Sequence, residues 1–326
     1  EQGEQGNPGQ DGDANLTISE EGGVVTIVYK GVTYTLPKYV TKMTFTTSKA
    51  IGEKVKLQIF SEGTDPADIW IDLNNNGVND DGEALTEFYS DIEYTLGSQT
   101  VTIYGKVNKL SCRNNQLTSL DVSQNTALEE LDCFYNQLTS LDLSQNTALE
   151  WLDCATNQLT SLDVSNNTKL YHLDCFHNQL TSLDVSQNTA LLWFTCPDNQ
   201  LTSLDLSNNT KLQVFDCSYN QLTSLDLSKN AELESLHCYH NQLTSLDVSH
   251  NTELESLNCY DNKISGGNMT ALVNSLPDRT GKKAGDFRVI AVGSGDEQNA
   301  INATQAVKAK SKNWSVLDYK DNPYTP

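Results

Sequence analysis

The chain has 326 residues, with 43 acidic side chains against 21 basic ones and a formal net charge of −22. This charge argues against a protein that binds nucleic acid or an anionic membrane surface, because both require cationic patches. The sequence holds no apolar run of about 18 residues, so we expect no transmembrane segment. The length allows two or three domains.

The beginning of the chain predicts a flexible acidic tether. Residues 1–14 carry glycine at positions 3, 6, 9 and 12, a collagen-like run that is too short for a stable triple helix. The first residue is Glu1 rather than methionine. We therefore expect a mature product from which a signal segment has been removed.

Residues 15–106 are predicted to form a small β domain. Val24–Tyr29 and Val32–Leu36 flank Lys30 and Gly31, a two-residue hairpin signal. We expect this domain to cover the N-terminal edge of the segment that follows, because an open apolar edge promotes aggregation. Further β-rich runs are Lys42–Thr47, Lys54–Phe60, Ile69–Asp72 and Gln99–Tyr104.

One motif in this domain predicts a metal site. Asp72 to Glu83 matches the calcium-loop pattern D-x-[DN]-x-[DN]-G-x5-E, but its eighth residue is Asn79 rather than an apolar one. The preceding Ile69–Ile71 predicts a strand instead of an EF-hand helix. We interpret the segment as an EF-hand-like Ca²⁺ loop with a structural role, and the alternative is a metal-free Asn/Gly turn. The predicted ligands are Asp72, Asn74, Asn76, the Val78 carbonyl, Asp80 and Glu83.

From Val107 onward a 21-residue phrase is repeated eight times. Leu131 and Cys133 alternate with Asp132 and Phe134, which is typical of a strand with one buried face. A single coil cannot bury its apolar side chains, so the copies must stack into a solenoid. All eight cysteines occupy one inward slot, and we expect them to be buried and reduced rather than bridged or zinc-bound. They are Cys112, Cys133, Cys154, Cys175, Cys196, Cys217, Cys238 and Cys259.

An asparagine recurs where each strand of the repeat ends. An inward asparagine at such a turn can satisfy backbone groups that would otherwise be buried without a partner. We interpret this column as structural. It comprises Asn115, Asn136, Asn157, Asn178, Asn199, Asn220, Asn241 and Asn262.

The phrase resembles the leucine-rich repeat L-x-x-L-x-L-x-x-N-x-L, with cysteine in the third apolar slot, in the short form found in internalin-like bacterial surface proteins. This resemblance covers about half the chain. It implies a β-rich, α/β-type, right-handed leucine-rich-repeat solenoid of eight coils over residues 107–267. The tether is similar to the stem of surface lipoproteins of Bacteroides-type bacteria, which implies an outer-membrane-anchored lipoprotein with its lipid upstream of Glu1.

Residues 268–326 are predicted to form an α/β cap. The segment is similar to the caps that close the far end of repeats in Bacteroides-type proteins, so its function is structural. Its predicted elements are a helix at Asn268–Leu276 with Asn268 as N-cap, a strand at Phe287–Val292, a helix at Glu297–Ser311 and a strand at Trp314–Tyr319.

Four slots vary among the eight copies, and strand alternation places them outward on the concave sheet or its edge. In the second copy they hold Glu130, Asp132, Phe134 and Tyr135. Clustered rings suit a protein partner and also stack on sugars, although aromatic neighbours stabilise a sheet by themselves. The predicted ligand-binding residues are Trp151, Trp193, Phe134, Phe176, Tyr135, His172, His177, Asp132, Asp153, Asp174, Tyr219, Tyr239, His240 and Tyr260.

These observations predict a non-enzymatic cell-surface recognition or adhesion protein that binds a protein partner, such as a host protein. The alternative is a glycan-binding protein that uses the same rings. A hydrolase acting through Asp216, His237 and Ser218 is the least favoured, because a strand ladder offers neither a sharp nucleophile turn nor an evident oxyanion hole. We also disfavour a metal pair of His237 and His240, which lacks further ligands.

Overall fold

The computed structural model describes residues 16–21, 24–37 and 41–326, which belong to two compact units, Glu1–Thr41 and Lys42–Pro326. The predicted tether lies outside the described residues. The segment predicted as one β domain contributes to both units, and its boundary with the repeats lies inside the second.

The first unit contains a three-stranded antiparallel sheet of β1 (Leu16–Glu21), β2 (Val24–Tyr29) and β3 (Val32–Pro37). The hairpin predicted between β2 and β3 is confirmed. Lys30 and Gly31 have φ angles of 51° and 77°, the positive values that a two-residue turn needs in order to follow the twist of its strands.

The second unit starts with strands that pair with the first coil of the repeats. The elements are β4 (Lys42–Thr47), β5 (Lys54–Phe60), a 3-10 turn (Pro66–Asp68), β6 (Trp70–Asp72), β7 (Ile92–Thr95), β8 (Thr100–Tyr104), β9 (Lys109–Ser111) and β10 (Leu117–Asp121). Four of these strands form an antiparallel sheet in the order β10, β4, β8, β6. The strand predicted before the calcium-type loop is confirmed as β6.

The repeats form a parallel ladder with one short strand per coil. Leu131 lies opposite Leu110 on one side and Leu152 on the other, and the same register continues through all eight coils. The predicted solenoid of eight coils is therefore confirmed. After β9, its strands are β11 (Glu130–Asp132), β12 (Trp151–Asp153), β13 (His172–Asp174), β14 (Trp193–Thr195), β15 (Val214–Asp216), β16 (Ser235–His237) and β17 (Ser256–Asn258).

The core of the solenoid is a stack of leucines and cysteines. All eight thiols are free and fully buried. Burial raises the pKa of each of them, because the charged thiolate would lose its hydration. The cysteine column therefore has the packing role that its inward slot predicted.

The asparagine column connects neighbouring coils through side-chain hydrogen bonds. Asn157 donates from Nδ2 to the carbonyl oxygens of Cys133 (3.0 Å) and Cys154 (3.1 Å) and accepts from the backbone N–H of Leu138 (3.0 Å). Its equivalents in the second to eighth coils bond in the same way, whereas Asn115 of the first coil bonds to Cys112 and to the backbone of Lys56. The structural role predicted for this column is confirmed.

A second asparagine column runs through seven of the eight coils, and the sequence analysis missed it. Asn167 is fully buried and donates from Nδ2 to the carbonyl oxygens of Leu143 (3.1 Å) and Asn146 (2.8 Å). Its Oδ1 has no hydrogen-bond partner. The column comprises Asn125, Asn146, Asn167, Asn188, Asn209, Asn230 and Asn251.

The ends of the ladder are closed by different devices. At the N-terminal end, β5 pairs antiparallel with β9, and Asn115 exchanges two side-chain hydrogen bonds with the backbone of Lys56. At the C-terminal end, β18 (Gly285–Ile290) and β19 (Trp314–Asp318) continue the parallel ladder beyond β17. The sheet that results has twelve strands.

The two helices of the predicted cap exist, but their predicted starts were wrong. The first, α1, spans Gly266–Ser275 with Ser265 as its N-cap, because the Asn268 amide instead donates to the carbonyl oxygen of Thr244 (3.0 Å). The second, α2, spans Ala303–Ser311 and begins with a capping box between Asn302 and Gln305.

The second helix starts six residues late because the preceding segment serves the ladder. Glu297 accepts backbone N–H groups of Asp261, Ala291 and Asn299. Asn299 donates to the carbonyl oxygen of Cys259 (2.7 Å) and accepts from the N–H of Ile264 (2.8 Å). Asn299 thus repeats, one coil later, the bonds that the first asparagine column makes.

Candidate functional site

A row of aromatic rings crosses the exposed face of the repeat strands. Trp151, His172 and Trp193 occupy the same register position on β12, β13 and β14. The Trp151 and His172 rings stack at 5.0 Å with 16° between their planes, and His172 and Trp193 are 5.9 Å apart and tilted by 49°. Trp193 is 50% exposed. We call these three residues the aromatic row.

A row of carboxylates runs beside the aromatic row, two residues further along each strand. It consists of Asp132, Asp153, Asp174 and Asp216, which each accept the backbone N–H two residues later. Burial raises the pKa of Asp153 to about 7, and the adjacent Asp174 and Asp132 carboxylates add to this effect. The row therefore brings like charges together at a half-buried site.

The remaining predicted binding residues lie where the strands end, in two groups. Near the N-terminal coils, Phe134 and Tyr135 are close together, and Phe176 is next to His177. Near the C-terminal coils, Tyr219 stacks on His240 at 4.2 Å and Tyr239 stacks on Tyr260 at 4.5 Å. The predicted residues therefore lie along successive coils rather than around a single cavity.

One of these slots has an unusual backbone conformation. Every coil places the residue before its first-column asparagine in the left-handed region, with φ between 49° and 56°. Side chains with a Cβ rarely adopt this conformation, and the β-branched Thr156 is the most strained of them. The residues are Asn114, Tyr135, Thr156, His177, Asp198, Tyr219, His240 and Asp261.

The residues considered for a hydrolase do not form the expected triad. Ser218 donates from Oγ to Asp216 Oδ1 at 2.6 Å, so its hydroxyl is directed to the acid and not to the histidine. His237 has Nδ1 3.4 Å from Asp216 Oδ2 and Nε2 3.4 Å from the Oγ of Ser235. The N–H of Cys217 next to these groups bonds to a neighbouring coil. His240 pairs with Asp261 at 2.9 Å and does not share a ligand with His237.

The calcium-type loop is ordered by hydrogen bonds to its buried acids. Asp72 accepts from the N–H groups of Asn76 (2.9 Å) and Gly77 (2.8 Å), and Glu83 accepts from those of Leu73 (2.8 Å) and Asp80 (3.0 Å). In the described part of the chain, no three histidine, cysteine or acidic side chains are grouped as metal ligands. A cation here would also need the asparagine and backbone oxygens, which is the donor set of the motif.

A cleft at the N-terminal end of the sheet was missed by the sequence analysis. It has a volume of about 250 Å³, and its lining includes Phe60, Tyr89, Lys109, Arg113 and Trp151. The first two rings stack at 4.3 Å. No local signal pointed to this cleft, because pairing between β5 and β9 brings together residues that are distant in sequence.

The functional domain of InlJ from Listeria monocytogenes, whose structure includes a cysteine ladder, is similar to this chain, with 31% identity and a TM-score of 0.50. The match covers 67% of this chain and 50% of that domain, so the chain spans half the length of its relative. This chain is an internalin-like leucine-rich-repeat protein. The internalin-like protein has its own column of eight cysteines at one register position.

Two further L. monocytogenes internalins are similar to the internalin-like protein. InlF matches with 21% identity and a TM-score of 0.47, over 65% of this chain and 66% of its own. InlC2 matches with 23% identity and a TM-score of 0.48, over 49% of this chain and 74% of its own.

No protein-family model and no curated protein matches this chain. Within the described residues, no helix combines the length and the apolar character needed to cross a bilayer.

Proposed function

We propose that this internalin-like protein is a non-enzymatic recognition protein that binds a protein partner through the exposed sheet face of its repeats. This role requires display at the cell surface, which the resemblance to lipid-anchored surface proteins implies. The binding residues are those of the aromatic row and the carboxylate row, together with the rings at the strand ends.

The observation that carries this proposal is the parallel course of the two rows on one face. Aromatic side chains supply most of the contact energy in protein interfaces, and unpaired charges beside them supply specificity. Asp153 and Asp174 have no ion-pair partner among the described residues. Such carboxylates are costly until a partner neutralises them.

Ring geometry favours a protein partner over a glycan. A sugar stacks on an aromatic ring whose face is free. Within the aromatic row, one face of Trp151 lies against one face of His172, so these two faces are closed to a sugar. Edges and outer faces are suited to the side chains of a protein.

Replacing both tryptophans of the aromatic row is expected to weaken partner binding strongly. The variant Trp151→Ala/Trp193→Ala should lose at least about tenfold in affinity for the partner, because central aromatic contacts are typical hot spots. Proteins from a candidate host surface would be captured on wild-type and variant protein, and their affinities measured by surface plasmon resonance. A glycan array would be probed with the same two proteins.

A matched tryptophan outside this face serves as the control. Trp70→Ala removes a ring that stacks on Tyr104 in the four-stranded sheet, and it should leave partner affinity within about twofold. Unchanged binding by the double variant would refute the proposal. Glycan binding that disappears in the double variant, without any protein partner, would favour the glycan alternative.

We also propose that the loop from Asp72 to Glu83 binds calcium in a structural role. The motif supplies hard oxygen ligands at the required spacing, and its two end carboxylates are buried and already oriented by backbone N–H groups. Gly77, with φ of 76°, permits the sharp turn. A bound cation would neutralise the acidic cluster at this turn.

Calcium is therefore expected to raise the melting temperature. At 1 mM calcium we expect a rise of about 2–4 °C or more in the wild type, because a ligand that binds only the folded state stabilises it. Glu83→Gln should remove this rise, since the amide lacks the charge and the bidentate oxygens. Differential scanning calorimetry measures both, with Glu87→Gln as the control outside the motif. An equal rise in all three proteins, or none in the wild type, would contradict a site here.

A further inference from the structure

Four of the 21 basic residues of this acidic chain lie close together at the N-terminal end of the sheet. Lys54 and Lys56 are exposed on β5, and Arg113 follows β9, the strand paired with β5. Together with Lys49 they line a cleft of about 300 Å³ that contains only two acids, Asp91 and Glu93. We call Lys49, Lys54, Lys56 and Arg113 the cation end. With Asp91 and Glu93 counted, the lining of this cleft has an excess of two positive charges in a chain whose net charge is −22.

Three of these four cations pair with an acid of the described chain, and Lys49 does not. Lys54 and Lys56 pair with Glu93 (2.7 Å) and Asp91 (2.6 Å). Lys49 instead donates to the backbone oxygen of Lys54 (2.7 Å). Arg113 pairs with Asp132 through Nε (3.2 Å), and its side chain is 61% exposed, so its guanidinium group remains accessible to a second acid.

The cation end is continuous with the face proposed for recognition. The cleft of about 250 Å³ shares Ser111 and Arg113 with the cation-lined cleft and extends to Trp151. Rungs of a ladder are about 4.8 Å apart, so Asp153 and Asp174 lie two and three rungs, or about 10 and 14 Å, beyond the strand that precedes Arg113. An extended polypeptide covers that distance in about three to four residues.

We propose that the partner polypeptide is bound in one fixed orientation along the sheet, an inference that rests on the proposed function. An acidic side chain of the partner polypeptide pairs with Arg113 and Lys49, and a basic side chain about three to four residues away pairs with Asp153 and Asp174. The order of charges along the sheet thus selects a segment that carries both signs, because the reversed placement would bring like charges together.

The test uses three acetylated and amidated peptides, EEGWGKK, EEGWGEE and KKGWGKK, at 150 mM salt. The variant Arg113→Glu should weaken the mixed peptide about fivefold and strengthen the all-basic one, as expected for close charge pairs. Asp174→Lys should weaken the mixed peptide and strengthen the all-acidic one. The controls Lys211→Glu and Glu232→Lys, which change exposed charges at one slot outside the strands, should alter none of these affinities more than about twofold.

Photo-crosslinking determines the orientation on the wild-type protein. A benzophenone at the acidic end of the mixed peptide should label residues 49–60 or 107–113, and one at the basic end should label residues 151–176. Labelling that is the same from both ends, or affinities insensitive to Arg113→Glu, would overturn the fixed orientation while leaving the proposed face intact. Labelling away from the sheet, with partner affinity unchanged in the double tryptophan variant, would overturn both.

Discussion

Asn157→Ala is expected to lower the free energy of unfolding by about 3–5 kcal/mol, because one substitution removes partners from several buried backbone groups. The carbonyl oxygens of Cys133 and Cys154 lose a donor, and the N–H of Leu138 loses its acceptor. Alanine can replace none of these bonds, and the turn is too closed for water to replace all of them. Urea unfolding followed by circular dichroism measures the change.

Two asparagines of the same coil provide graded controls. Asn167→Ala removes two donated bonds but no accepted one, because its Oδ1 has no partner, and we expect a smaller loss of about 2 kcal/mol. Asn166→Ala, at an exposed neighbour, should stay within about 0.5 kcal/mol of the wild type. A loss at Asn157 no larger than that at Asn166 would mean that the first column does not hold the coils together.

Asp153→Asn is expected to stabilise the protein at pH 8 by about 2 kcal/mol. Burial and the flanking carboxylates raise the pKa of Asp153 to about 7, so its ionisation is less favourable in the folded chain. The folded protein therefore holds this proton between about pH 4 and pH 7 when the unfolded chain has released it, and stability falls as the pH rises through that window. The full shift corresponds to about 4 kcal/mol, which partial solvent exposure reduces to about half.

The asparagine variant should show its advantage only where the carboxyl group would ionise. Its amide oxygen still accepts the N–H of Ala155, so the backbone contact is kept. Urea midpoints of the two proteins should coincide near pH 4 and separate progressively up to pH 7. Asp163→Asn is the matched control, since hydrogen bonds from Ser165 lower the pKa of that carboxyl group and ionisation there favours the fold. A difference between the urea midpoints of wild type and Asp153→Asn that does not change with pH would contradict a raised pKa of the Asp153 carboxyl group.

The repeated part of the fold was predictable because its period alone specifies which side chains meet. Once every coil has 21 residues, Leu131 must face Leu110 and Leu152, and Trp151 must share a row with Trp193. The second asparagine column was equally visible in the sequence, since asparagine recurs at that slot in seven coils. It was not predicted because it lies outside the strands, where no alternation of apolar and polar residues indicates which side chains are buried.

Other features depend on contacts that leave no local pattern. The late start of α2 follows from Glu297 and Asn299, whose side chains satisfy backbone groups of the last coil. The cation end arises because antiparallel pairing places Gln58 of β5 opposite Ser111 of β9. The left-handed slot was also invisible, because residues as different as Tyr135 and Thr156 occupy it.

The contacts that seal the two ends of the ladder involve the first two and the last two coils. Asn115 bonds to the backbone of Lys56 at one end, and Asn299 takes over the asparagine contacts at the other. Between the two ends, neighbouring coils are joined by the same type of asparagine hydrogen bonds at each step. Gain or loss of an internal repeat would therefore lengthen or shorten the exposed sheet face without changing the contacts at either end, so the length of that face can change in evolution while the fold is kept.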